Sequence, residues 1–97
     1  IRPGRVLSMI QLALDGKFLE SREALRDILI NQGLAPEDII RITYREVMRH
    51  KSLTEQMKVK LSDIIGEVDY RLTQGSRPEI QLSTLLGHLS LIGDEAR

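Results

Sequence analysis

Apolar residues recur at three- and four-residue intervals along this chain, broken by short punctuation of glycine, proline and serine. In PGRVLSMIQLALDG, Val6, Ile10 and Ala13 share one helical face with Leu7 and Leu14 beside them, which predicts a helix from Pro3 to Asp15 ended by Gly16. The next run, KFLESREALRDILINQG, repeats the pattern with Phe18, Leu25, Ile28 and Leu29. It predicts a second helix from Lys17 to Gln32, with Gly33 supplying a left-handed end. Pro36 suits a first helical turn, where its missing N–H would be unpaired anyway, and Glu37 and Asp38 complement the positive end of the helix dipole. The third helix runs to His50 and is expected to bury Ile40, Tyr44 and Val47.

Ser52 and Glu55 stand at capping-box spacing before the longest helical pattern, whose stripe is Leu53, Met57, Leu61, Ile64, Ile65, Val68 and Leu72. This fourth helix is expected to be the central packing element and to end at Gly75. Ser76 and Glu79 repeat the capping-box spacing around Pro78, opening a fifth helix with a core face of Leu82, Leu85, Leu86, Leu89 and Ile92. No stretch alternates with the period of a strand, and every connection is short. The expected fold is all-α, a compact five-helix bundle in one domain spanning residues 1–97.

Two features go beyond one buried stripe per helix. On the fifth helix Ile80, Thr84, Gly87 and Leu91 form a second line offset from the leucine face, which fits either a broadly buried helix or a contact with another subunit. Gly66 and Gly87 each stand about 15 Å from the joint between the fourth and fifth helices. The expectation is that they sit level and let those two helices close on each other.

Composition narrows the function classes. The 97 residues of 11.0 kDa suffice for one core. Hydrophobic residues at 41% and charged residues at 29% argue against disorder. Fourteen basic and 14 acidic residues cancel, so no global field draws nucleic acid or an anionic membrane. There is no cysteine for thiol chemistry or thiolate metal sites, and no apolar run is long enough to span a bilayer. The chain starts at Ile1, which reads as a fragment or a processed chain.

Candidate chemistry is sparse. The glycine-rich neighbourhood QGSRPE lacks phosphate-loop spacing, and His50 and His88 lack partners at metal-ligand spacing, so no catalytic, cofactor-binding or metal residue is assigned. Glu67 and Arg71 have the i,i+4 spacing of an ordinary helix ion pair. Arg41, Arg45 and Arg49 make one local basic line, extended by His50 and Lys51. It reads as a solvated face or as ion pairs with a neighbouring subunit, and as the basis of an alternative function, a helical nucleic-acid-binding module.

The order GEVDYRL, TQG, EIQL and LLGHLSLIG resembles the end of replication factor C small subunits, the clamp loader ATPases of archaea and eukaryotes. The arginine-proline start, the leucine-rich first helix, the G-x-F joint and the L-x-x-QG-L ending of helix two agree with that family, most closely with its archaeal members. The resemblance implies a C-terminal collar domain that joins subunits in a ring, as homo- or hetero-oligomers, without the AAA+ ATPase module. ATP and magnesium, the sliding clamp and primed DNA would then engage the full-length protein rather than this fragment, which is not an enzyme by itself. The implied location is cytoplasmic, or nuclear in a eukaryote, with no membrane partner. Helical phase selects Ile80, Thr84 and Leu91, with Tyr70 and Arg71 beside them, as subunit-contact candidates, while the resemblance implies only that Arg71 and the Gln81-Leu82 pair belong to the typical joint of such a domain.

Overall fold

The computed structural model describes residues 3–97 and contains five α-helices among them: α1 (Gly4–Leu14), α2 (Phe18–Arg26), α3 (Pro36–Arg49), α4 (Glu55–Thr73) and α5 (Pro78–Ala96). Helix number, order and joints agree with the apolar periodicity. Arg2, half of the arginine-proline pair, lies outside the described residues.

One core runs through all five helices. Val6, Ile10 and Ala13 of α1 meet Leu25 of α2, Ile39 and Val47 of α3, Leu61, Ile65 and Val68 of α4, and the whole leucine face of α5. The central elements are α1 and α5 rather than α4: α5 packs on α1, α2 and α4, and α1 packs on α2, α3 and α5, whereas α4 touches mainly α3 and α5. The physical reason is the width of the apolar surface. Helix α5 is apolar on nearly every side, while α4 turns Asp63, Glu67 and Asp69 outward.

Helix α2 is shorter than its apolar pattern. Past Arg26 the chain widens into a π-helical turn over Asp27–Asn31, closed by Gln32 N–H donating to the Asp27 carbonyl at 3.1 Å. This turn keeps Ile28 fully buried and throws Ile30 outward. The Asp27 carboxylate accepts from Asn31 Nδ2 at 2.8 Å, Arg5 Nη2 at 2.9 Å and Gln32 Nε2 at 3.0 Å. Those three donors, Asn31 first, hold its pKa below the usual carboxylate range. Gly33 then takes the left-handed conformation expected of it, with φ 63°.

In α3 the buried residues are Ile39, Ile40, Ile42, Thr43 and Val47, and Tyr44 is 47% exposed rather than buried. Thr43 occupies the place assigned to Tyr44. A threonine reads as polar in a sequence, but its methyl group fills a core position, and that shifts the phase by one residue.

Neither capping box forms. The N-cap of α4 is Thr54, whose Oγ1 accepts from Met57 N–H at 3.2 Å, while Ser52 N–H donates to His50 Nδ1 at 3.3 Å. Leu53 precedes the helix yet remains buried. At α5 the N-cap is Arg77 without a side-chain cap bond, and Glu79 pairs instead with Arg26 of α2 at 3.4 Å. The α4–α5 joint is held from the other side. Gly75, at φ 90°, lets its own N–H reach the Leu72 carbonyl and Ser76 N–H reach Arg71, both at 3.1 Å, which satisfies the end of α4.

The paired-glycine expectation fails. A Cβ at Gly66 would meet nothing within 4 Å, and one at Gly87 would meet only Phe18 Cε1 at 3.7 Å, so neither glycine brings α4 against α5. The close approach is at Gly93. There a Cβ would overlap the Leu14 carbonyl oxygen and stand 2.8 Å from its carbon, so α5 lies directly on the backbone of α1.

Candidate subunit interface

Helix α5 buries Leu82, Leu85, Leu86, Leu89 and Ile92 as its sequence requires, and the opposite side carries the second line. Ile80 is 57% exposed and Leu91 65% exposed, with Thr84 open between them and Gly87 half-buried beside it. Thr84 turns its hydroxyl onto the Ile80 carbonyl at 3.1 Å, leaving its methyl group on the surface. The result is an apolar stripe facing away from the core.

Helix α2 forms one wall beside that stripe. Phe18, which the apolar pattern assigns to the core, is half-buried and lines a shallow groove with Thr84, Gly87, Ser90 and Leu91. Arg22 and Ser83 continue the groove toward Ile80, joined by Arg22 Nε donating to Ser83 Oγ at 3.4 Å. Gly87 has a local use here, since its missing side chain leaves the groove floor open beneath the Phe18 ring. Phe18 and Arg22 are the groove-lining residues that the periodicity missed, because only the packing of α2 on α5 brings them there.

On the other side lies the α4–α5 groove, lined by Asp63, Ile64, Glu67, Arg71, Thr84 and His88. Arg71 stands in it, paired with Glu67 at 3.3 Å as their spacing predicts. Tyr70 points elsewhere: it is 60% exposed on the outer face of α4. The five contact candidates therefore occupy the α5 stripe, its flanking groove and the adjacent outer face of α4.

The basic line on α3 is largely balanced within its own helix. Arg41 pairs with Asp38 at 2.8 Å and Arg49 with Glu46 at 2.9 Å, and only Arg45 lacks an ion pair among the described residues. Exposed pairs of this kind contribute about 0–1 kcal/mol to stability, and here they offset the charge of Arg41 and Arg49.

His50 uses both ring nitrogens structurally: Nδ1 accepts from Ser52 N–H, and Nε2, donor in that tautomer, lies 3.2 Å from Gln11 Oε1. The cavity beside it, bounded by Leu14, Asp15, Gly93 and Arg97, measures about 120 Å³, below the roughly 300 Å³ at which small-molecule sites begin. No group of three His, Cys, Asp or Glu side chains converges on a metal position among the described residues. No described helix is long and apolar enough to cross a membrane.

Comparison with known proteins matches residues 1–88 to the family model described as the replication factor C C-terminal domain. Curated relatives agree. The Replication factor C small subunit of Sulfurisphaera tokodaii is 45% identical over 97% of this chain, and that of Sulfolobus acidocaldarius 44% identical over 93%. Replication factor C small subunit 1 of Pyrobaculum islandicum is 41% identical over all of it. The chain spans 29%, 28% and 29% of the length of these three proteins respectively. With its five-helix fold, the match of nearly the whole chain and these relatives, the protein belongs to the replication factor C C-terminal domain family.

Proposed function

We propose that this chain is the collar of a clamp loader, the domain through which subunits join in a ring while AAA+ ATPase modules elsewhere in the full-length protein use ATP and magnesium to load a sliding clamp onto primed DNA. Family membership supports the clamp-loader part. The observation that carries the assembly part is the α5 stripe: a helix already fully occupied on its core face presents Ile80, Thr84 and Leu91 to the outside. Covering an exposed leucine contributes roughly 1.5–3 kcal/mol, enough to favour association when repeated round a ring. On this reading the fragment catalyses nothing and holds no cofactor, and the assembly works in the cytoplasm, or in the nucleus of a eukaryote.

The test is Leu91→Asp in the full-length protein. A carboxylate in the contact would need desolvation, so association weakens at least tenfold and sedimentation velocity shows a shift toward monomer, with helical content and thermal midpoint preserved. An unchanged mass distribution removes the stripe from the interface.

A further inference from the structure

The end of α2 carries a surface for the rest of the polypeptide, an inference that rests on the collar reading for the presence of a module ahead of α1. The π-helical turn Asp27–Asn31 interrupts a pattern that would otherwise continue α2, and such turns recur at functional positions. It leaves Ile30 67% exposed, beside a shallow groove of about 290 Å³ bounded by Glu23, Arg26, Asp27 and Asn31.

Position says what would cover it. Arg5, in the first turn of α1, reaches the π turn through its pair with Asp27 at 2.9 Å, so the start of α1 and the groove lie side by side. The matched family is a C-terminal domain, and the chain spans only 28% or 29% of the relatives named above. On the collar reading the ATPase module is joined ahead of α1, and it arrives beside Ile30.

Charge narrows the chemistry of the contact. Asp27 is occupied by Asn31, Arg5 and Gln32, and Arg26 is paired with Glu79, whereas the exposed Glu23 makes no ion pair among the described residues. The groove therefore fits an apolar side chain with a lysine or arginine near it, the mixed character usual between domains of one chain.

We propose that the ATPase module docks on the π turn of its own chain, setting an apolar side chain against Ile30 and a basic one on Glu23. Because Asp27 ties the groove to the first turn of α1, this contact fixes the angle at which the module leaves the bundle.

The experiment uses full-length protein with p-benzoylphenylalanine in place of Ile30, prepared in isotopically light and heavy forms, mixed, irradiated and mapped by mass spectrometry. The expected product joins position 30 to a peptide of the module within one chain, so light–heavy links are absent. Links between chains, or no link to the module, overturn the docking. A multimer without the link leaves the collar reading standing and ends the docking; a monomer at every concentration with the link does the reverse. Ile30→Asp gives a second measurement: limited proteolysis at the junction ahead of α1 speeds up at least tenfold, with helical content and sedimentation unchanged. Leu19→Asp, at the other end of α2 and 70% exposed, leaves that rate as it is. An unchanged rate in Ile30→Asp, or an equal rise in both variants, overturns the assignment.

Discussion

Gly66 and Gly93 place the same residue type in opposite surroundings. At Gly66 a methyl group would enter open space, so Gly66→Ala should raise unfolding free energy by about 1 kcal/mol, the intrinsic helix preference. At Gly93 the methyl would strike the Leu14 backbone, and prying α1 from α5 should cost a net 1–3 kcal/mol. Urea denaturation of the two variants checks the signs, and destabilisation at Gly66 would contradict its open setting. Glycine inside a helix was legible in the sequence as a feature needing a partner. Which partner was not, because the crossing point of two helices is a tertiary property. Tyr44 and Thr43 show the same limit: side-chain class marks a core position only when class and burial agree, and the threonine methyl breaks that agreement.

Each helix was legible from its 3.6-residue apolar rhythm and its glycine or proline ends, and the leucine face of α5 was recovered in full. What escaped were details governed by single hydrogen bonds. S-x-x-E occurs before both α4 and α5, yet the chain starts α4 two residues later than Ser52 because Thr54 reaches Met57 N–H. Thr54→Ala should therefore cost about 1 kcal/mol, and Ser52→Ala well under half of that, in equilibrium unfolding. Equal losses would restore the box at Ser52. The π turn after α2 was likewise hidden, since an i→i+5 bond leaves no mark on apolar spacing until the burial of Ile28 is known.

As a whole the described residues pack into one bundle. Its radius of gyration of 12.1 Å is close to the roughly 12.5 Å expected for a compact chain of this length, and its core is continuous through every helix. The α5 stripe is thus surplus to the fold, and association should act only by mass action. The thermal midpoint should climb with protein concentration in the wild type and stay level in Leu91→Asp, measured by calorimetry over a hundredfold range. A level wild-type midpoint would detach the stripe from self-association. Family membership was legible in the order of short motifs, whereas the groove walls supplied by Phe18 and Arg22 emerged only from helix packing. The seat of Gly93 on Leu14 also sets the permitted length of the chain. One residue inserted between Leu86 and Gly93 would swing everything after it by about 100°, replacing the glycine at the crossing with Ile92 and rotating Leu91 off its face. Between Leu86 and Gly93, helix α5 is therefore closed to insertions and deletions.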